Sequence, residues 1–88
     1  MKLNGNFVLR QIAGETLAVP VGESTLRIGG MIVLNPVSAV IFDCLKQETN
    51  LISIVEAVTN RFDIDSAEAT EDVTAFLEQM RSENLILD

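Results

Sequence analysis

The 88-residue sequence contains no His, no Trp, no Tyr and one Cys, and its six Lys and Arg are outnumbered by thirteen Asp and Glu. Without imidazole, Ser-His-Asp and Cys-His catalysis are excluded within the chain, and metal sites built on His go with them. One thiol can neither close an internal disulfide nor supply a zinc ligand set. Any catalytic apparatus would have to come from carboxylates, Lys, Arg or that thiol; no such constellation is visible, and no cofactor or metal is expected. Long hydrophobic runs are lacking too. The longest uncharged stretch, 28–42, has 15 residues and is broken by Gly29-Gly30 and Asn35-Pro36, whereas a membrane-spanning helix needs roughly 20 apolar residues. Lys2 and Arg10 precede any sustained apolar run, so neither a secretory signal nor a membrane partner is expected. A cytoplasmic protein with a free thiol is the economical expectation.

The charge that is present is unevenly placed. Residues 1–42 hold Lys2, Arg10 and Arg27 against Glu15 and Glu23, a net of +1, while residues 43–88 hold Lys46, Arg61 and Arg81 against eleven acids, a net of −8. Nucleic-acid affinity comes largely from Lys and Arg displacing phosphate counterions, so that second half would repel DNA or RNA. An uncharged or basic partner is the easier expectation.

The first third of the chain has strand character. Phe7 to Ile12 and Thr16 to Val21 are β-rich runs separated by Ala13-Gly14-Glu15, a spacing that predicts a hairpin. Pro20 cannot donate a ladder hydrogen bond and so belongs at an edge or a strand end. After the loop Gly22 to Ser24 come Leu26 to Ile28, Gly29-Gly30 and the run Met31-Ile32-Val33-Leu34, which is apolar on both faces, so either both are covered, as in a buried central strand, or one awaits a partner. Asn35-Pro36 then predicts a helix start, with Asn as cap and Pro in the first turn.

Three amphipathic helices follow. Val37, Val40, Ile41, Cys44 and Leu45 form the first apolar face, and Leu51, Ile54, Val55, Val58 and Phe62 the second. Ala69, Val73, Phe76, Leu77 and Met80 form the third, with Glu71, Asp72, Glu78 and Arg81 offered to solvent. The breaks fall at 46–50 and 63–66, and Asp65 with Glu68 makes a capping-box pattern. The third helix should end near Glu83-Asn84, with Leu85-Ile86-Leu87 packing back as an extended tail. No repeat or linker interrupts residues 1–88, which read as one domain. The fold expectation is a small α+β domain resembling a winged helix-turn-helix, three antiparallel strands followed by three helices on one face of the sheet.

Met31-Ile32-Val33-Leu34-Asn35 runs into Ile41-Phe42-Asp43-Cys44-Leu45. Thr49, Ile54-Val55-Glu56-Ala57-Val58, Phe62-Asp63, Asp72-Val73, Phe76-Leu77-Glu78-Gln79-Met80 and Leu85-Ile86 follow. In these spaced hydrophobics, with an Asn before the first helix and Asp-Val in the third, the chain resembles the PqqD family. These are small proteins of pyrroloquinoline quinone (PQQ) biosynthesis, whose fold recurs as the recognition element for ribosomally made, modified peptides (RiPPs). Asn84 stands where the family often has Gly. The resemblance implies a binding module without chemistry of its own. A precursor's leader peptide would lie as an added strand against Gly30, Met31, Ile32, Val33 and Leu34, in a groove walled by the third helix at Val73, Phe76, Leu77 and Met80. The loaded module would present the leader to a modifying enzyme, often a radical SAM protein. On that helix the stripe is mainly core, and its edge, Leu77 and Met80, is expected to line the groove. Two other classes remain: a winged-helix DNA-binding regulator, disfavoured because residues 66–83 hold one Arg and five acids, and a redox or catalytic protein using Cys44, which sits on an apolar helix face as a buried thiol would.

Overall fold

The two-residue turn at Ala13-Gly14 organises the sheet. A computed structural model, which describes residues 1–27 and 30–88, gives both residues positive φ, 53° and 81°. That is the condition for the primed turn whose twist matches a hairpin. It joins β2 (Phe7–Ile12) to β3 (Glu15–Pro20), with Ile12 opposite Glu15 and Phe7 opposite Pro20. The expected three-residue connection is thus one residue shorter, and Pro20 closes the strand at the hairpin's open end. β4 (Ile32–Leu34) pairs antiparallel with β3 on its other side, giving the order β2-β3-β4.

The expected order of strands followed by helices needs correction. β1 (Lys2–Leu3) precedes the hairpin, a single helical turn α1 (Ser24–Arg27) lies between β3 and β4, and β5 (Ile86–Leu87) follows the helices and pairs with β1. The run 26–28 was expected to be extended, but its first two residues belong to α1, while Ile28, with Gly29, lies outside the described residues. The turn forms because Gly22 takes φ 63° and its carbonyl accepts from the Thr25 hydroxyl at 2.8 Å. Ser24, buried, accepts the Asn6 backbone N–H at 2.8 Å. The terminal ribbon forms because Leu3, Leu85 and Ile86 are apolar enough to be buried, and their backbone groups then need partners.

Helices α2 (Pro36–Cys44), α3 (Leu51–Arg61) and α4 (Ser66–Ser82), the three foreseen from periodicity, each begin on a side-chain cap. Asn35, Asn50 and Asp65 accept the backbone N–H of Ser38, Ser53 and Glu68 at 2.8, 2.9 and 2.8 Å, a contact typically worth ~1 kcal/mol. Asn50 is a cap that the sequence pattern had left within a polar break. At the other end of α4, Asn84 takes φ 60°, the Asn84 N–H donates to the Arg81 carbonyl and the Leu85 N–H to the Met80 carbonyl, both at 2.9 Å. This is the Schellman arrangement. Asn performs here the left-handed turn for which glycine is usual, and it turns the chain into β5.

The core lies between the helices and one face of the sheet. Ala18, Leu34, Ile41, Phe42, Leu45, Ile54, Val58, Ala69, Val73, Leu77 and Met80 are buried in one cluster, with Phe7, Leu9 and Ile32 packed against it. Phe42, outside the apolar stripe read from the sequence, is fully buried because it meets Phe7 edge to face, with ring centroids 5.1 Å apart at 89°. Alternation along the strands leaves Val8, Arg10, Ile12, Leu17, Val19 and Val33 on the opposite face. Among the described residues no helix is long and apolar enough to cross a membrane.

Candidate functional site

β4 is an edge strand, and the register fixes which of its backbone groups are unpaired. In a hairpin with a two-residue turn the flanking residues, here Ile12 and Glu15, exchange hydrogen bonds, and every second pair does so thereafter. Glu15, Leu17 and Val19 therefore direct N–H and C=O toward β2; the Val21 N–H to the Asn6 carbonyl, 3.0 Å, continues the series. Thr16 and Ala18 face the other way, toward their partners Leu34 and Ile32. Ile32 and Leu34 thus bond to β3, and Val33 turns both its N–H and its C=O to the open edge.

The side chains alternate in step. Ile32 and Leu34 enter the core, while Val33 is 64% exposed and Met31, just before the strand, 60%. Gly30, at φ 119°, sets the approach to the strand in a conformation that L side chains rarely adopt. No charged residue and no Pro occurs from Gly30 to Asn35, so the edge lacks the usual protection against pairing. β2, the other edge, carries Arg10 and Gln11, both exposed.

Beyond the end of β4, the chain opens into a groove of about 500 Å³. One wall is the start of α2, from Asn35 to Ser38; the floor is Ile41 and Phe62; the other wall is α4, at Asp72 and Ala75. Of the α4 residues expected at this wall, Leu77 and Met80 are 2% and 1% exposed, and Val73 is fully buried. The expectation that Leu77 and Met80 form the accessible edge is corrected: they lie on the side of the helix turned into the cluster with Ile54 and Val58, and Phe76 alone of the four remains half-buried. The groove-facing residues are instead Asp72 and Ala75, three positions apart on one face of α4, with Phe76 four positions beyond Asp72. The signal was in the sequence, since Asp72, Ala75 and Phe76 share the border between the apolar stripe and the acidic face.

A larger cleft, about 750 Å³, lies between the far half of the hairpin, at Leu9 and Thr16, and the helices α2 and α3, at Val40, Cys44 and Arg61. Burial, reinforced by the adjacent Asp43 carboxylate, raises the Cys44 thiol above its ordinary pKa, the opposite of what a nucleophile requires. Its sheet wall is made of side chains on the hairpin's core face, so it does not offer the row of unpaired peptide groups found at β4. No three His, Cys, Asp or Glu among the described residues are grouped to hold a metal.

The family model for coenzyme PQQ synthesis protein D (PqqD) matches residues 15–86. No curated protein matches the chain. Among solved structures, TbiB1 in complex with the TbiA(beta) leader peptide superposes with a TM-score of 0.71 at 20% identity, over 100% of both chains. At that identity the likeness is one of fold.

Proposed function

This chain belongs to the PqqD family, and from that premise we propose that it is a RiPP recognition element, a module that captures the leader of a ribosomally made precursor by strand addition at β4 and presents it to a modifying enzyme. The observation that carries this reading is the unguarded edge of β4, where the Val33 N–H and C=O are open and the strand leads at Asn35 into a groove walled by α4. In family terms the setting is PQQ biosynthesis or a related peptide-modifying pathway, and the receiving enzyme a radical SAM protein or another modifier. The whole chain 1–88 acts as one recognition domain in the cytoplasm and leaves the chemistry to its partner. The TbiB1 structure, which contains a leader peptide, offers the parallel.

The energetics divide the work between backbone and groove. The two open peptide groups of Val33 are worth about 1–3 kcal/mol at ~0.5–1.5 each. Ordering a flexible segment costs about 2–5 kcal/mol, so these two bonds alone do not offset it. Net affinity rests on leader side chains entering the groove, at about 1.5–3 kcal/mol for each one fully buried, and micromolar binding is the expected scale. The contact set is Gly30, Met31 and Val33 on the open edge with Asp72, Ala75 and Phe76 of α4; Ile32, Leu34, Val73, Leu77 and Met80 form the layer that holds α4 against the sheet. Titration with the leader encoded beside this gene should shift the amides of 30–34 and 69–80. Unmoved amides there would refute the proposal.

The hairpin beside three helices also has the outline of a winged helix-turn-helix, which favours DNA binding as a second reading. Against it, α4 carries Glu68, Glu71, Asp72 and Glu78 with Arg81 its one cation. A gel shift at physiological salt is expected to show no complex.

A further inference from the structure

Asp72 is the one charged residue among the described residues that line the groove, and among those residues it has no ion-pair partner. Four residues before it, one turn back on the same side of α4, Glu68 is exposed. The cation of this helix, Arg81, is held by Asp88 through two hydrogen bonds, 3.0 Å from Nε and 2.9 Å from Nη2. A segment that runs along β4 and on into the groove at Asn35 therefore meets apolar groups from below and carboxylates of α4 that have no ion partner among the described residues. Resting on the strand-addition reading above, we propose that the captured segment is a cationic one: an extended peptide with alternating apolar residues facing the groove and Lys or Arg placed against Asp72 and Glu68.

The same charge accounts for how an unguarded edge coexists with itself. Antiparallel pairing of two copies through β4 relates them by a two-fold axis perpendicular to the sheet, which places both sets of helices on one side. Residues 43–88 of each copy carry −8, and the two acidic faces would approach each other. Self-pairing is opposed by like charge, while a cationic strand at the same edge is attracted and steered to it. The acids of α4 thus supply the selectivity that edge strands more often obtain from a Lys or Pro of their own.

Two synthetic peptides of about ten residues test this, alike in an alternating Val/Thr core and differing in Lys or Glu at the flanking positions. Each exposed pair is worth about a two- to fivefold change in Kd. The Lys peptide should bind about tenfold tighter at low salt, and the gap should narrow in 0.5 M salt. Asp72→Asn with Glu68→Gln should remove most of it; both side chains are exposed, so folding is preserved. Equal affinity for the two peptides, each shifting the 31–34 amides, overturns this proposal and leaves strand addition standing. Failure of both to shift those amides overturns both. A peptide-free protein that sediments as a β4-paired dimer, with the pairing unchanged in the double variant, overturns the guarding role.

Discussion

Replacing Val33 by Pro separates the two edges of β4. The residue's N–H points away from β3, so its removal takes no bond from the ladder, which runs through Ile32 and Leu34. The side chain is 64% exposed, so little packing is lost, and Pro is tolerated where an edge strand's N–H faces solvent. The folding cost should stay within ~1 kcal/mol. For an incoming strand the effect is larger. One main-chain hydrogen bond is lost, ~0.5–1.5 kcal/mol, and the pyrrolidine ring occupies the space of the partner carbonyl, bringing the total to about 1–3 kcal/mol. Leader affinity should fall about 5- to 150-fold by fluorescence anisotropy. Val33→Ala, which keeps the N–H, should change it little. Ile32→Pro, one residue away, should instead unfold the domain, since it removes a ladder bond and a core side chain, a loss of at least ~3 kcal/mol. Unchanged leader affinity in Val33→Pro, in a protein that melts normally, would refute strand addition at this edge.

Three further outcomes are expected. Ala13→Asn should raise the melting temperature, because the residue at φ 53° costs Ala about 1 kcal/mol that Asn largely avoids; an unchanged melt would contradict the turn geometry. Asn84→Val should destabilise by about 1–2 kcal/mol in urea and weaken protection of the β1–β5 amides, whereas Asn84→Gly should be neutral or stabilising. Cys44, its thiol pKa raised first by burial and then by Asp43, should react with iodoacetamide more slowly than free cysteine, gaining rate only as pH climbs past the ordinary thiol range. Cys44→Ala should leave leader binding intact, and a loss of binding would reopen a role for the thiol.

Contrast between particular residues shows where sequence reasoning reached and where it stopped. Asn35-Pro36 announced α2, and Asp65 announced α4, because caps are local: the acceptor and its amide lie three residues apart. The capping box at Asp65 is nonetheless half made: the Glu68 N–H donates to Asp65, but no bond from the Asp65 N–H to the Glu68 carboxylate is found among the described residues. β1 and β5 were not legible as a pair, since two residues on each side carry too little pattern and their partners sit at opposite ends of the chain. On sequence alone Leu77 and Met80 are as good a groove edge as Asp72 and Ala75, because a periodic stripe has two borders and the sequence does not say which one the sheet covers. Tertiary packing covered theirs and left Asp72, Ala75 and Phe76 at the other.

The sequence by itself determined that this protein has no His-based chemistry, that its acids lie in the helical half, and that one short strand is apolar on both faces. These follow from composition and from patterns shorter than a helical turn or two. Only the tertiary structure decided what they do together. Pairing of β3 with both neighbours made β4 an edge and turned the peptide groups of Val33 outward, and the packing of α4 set a carboxylate in the groove that opens past the strand's end at Asn35. Register and helix rotation are properties of contacts between distant segments, and those contacts convert an inventory of absences into a site for a peptide.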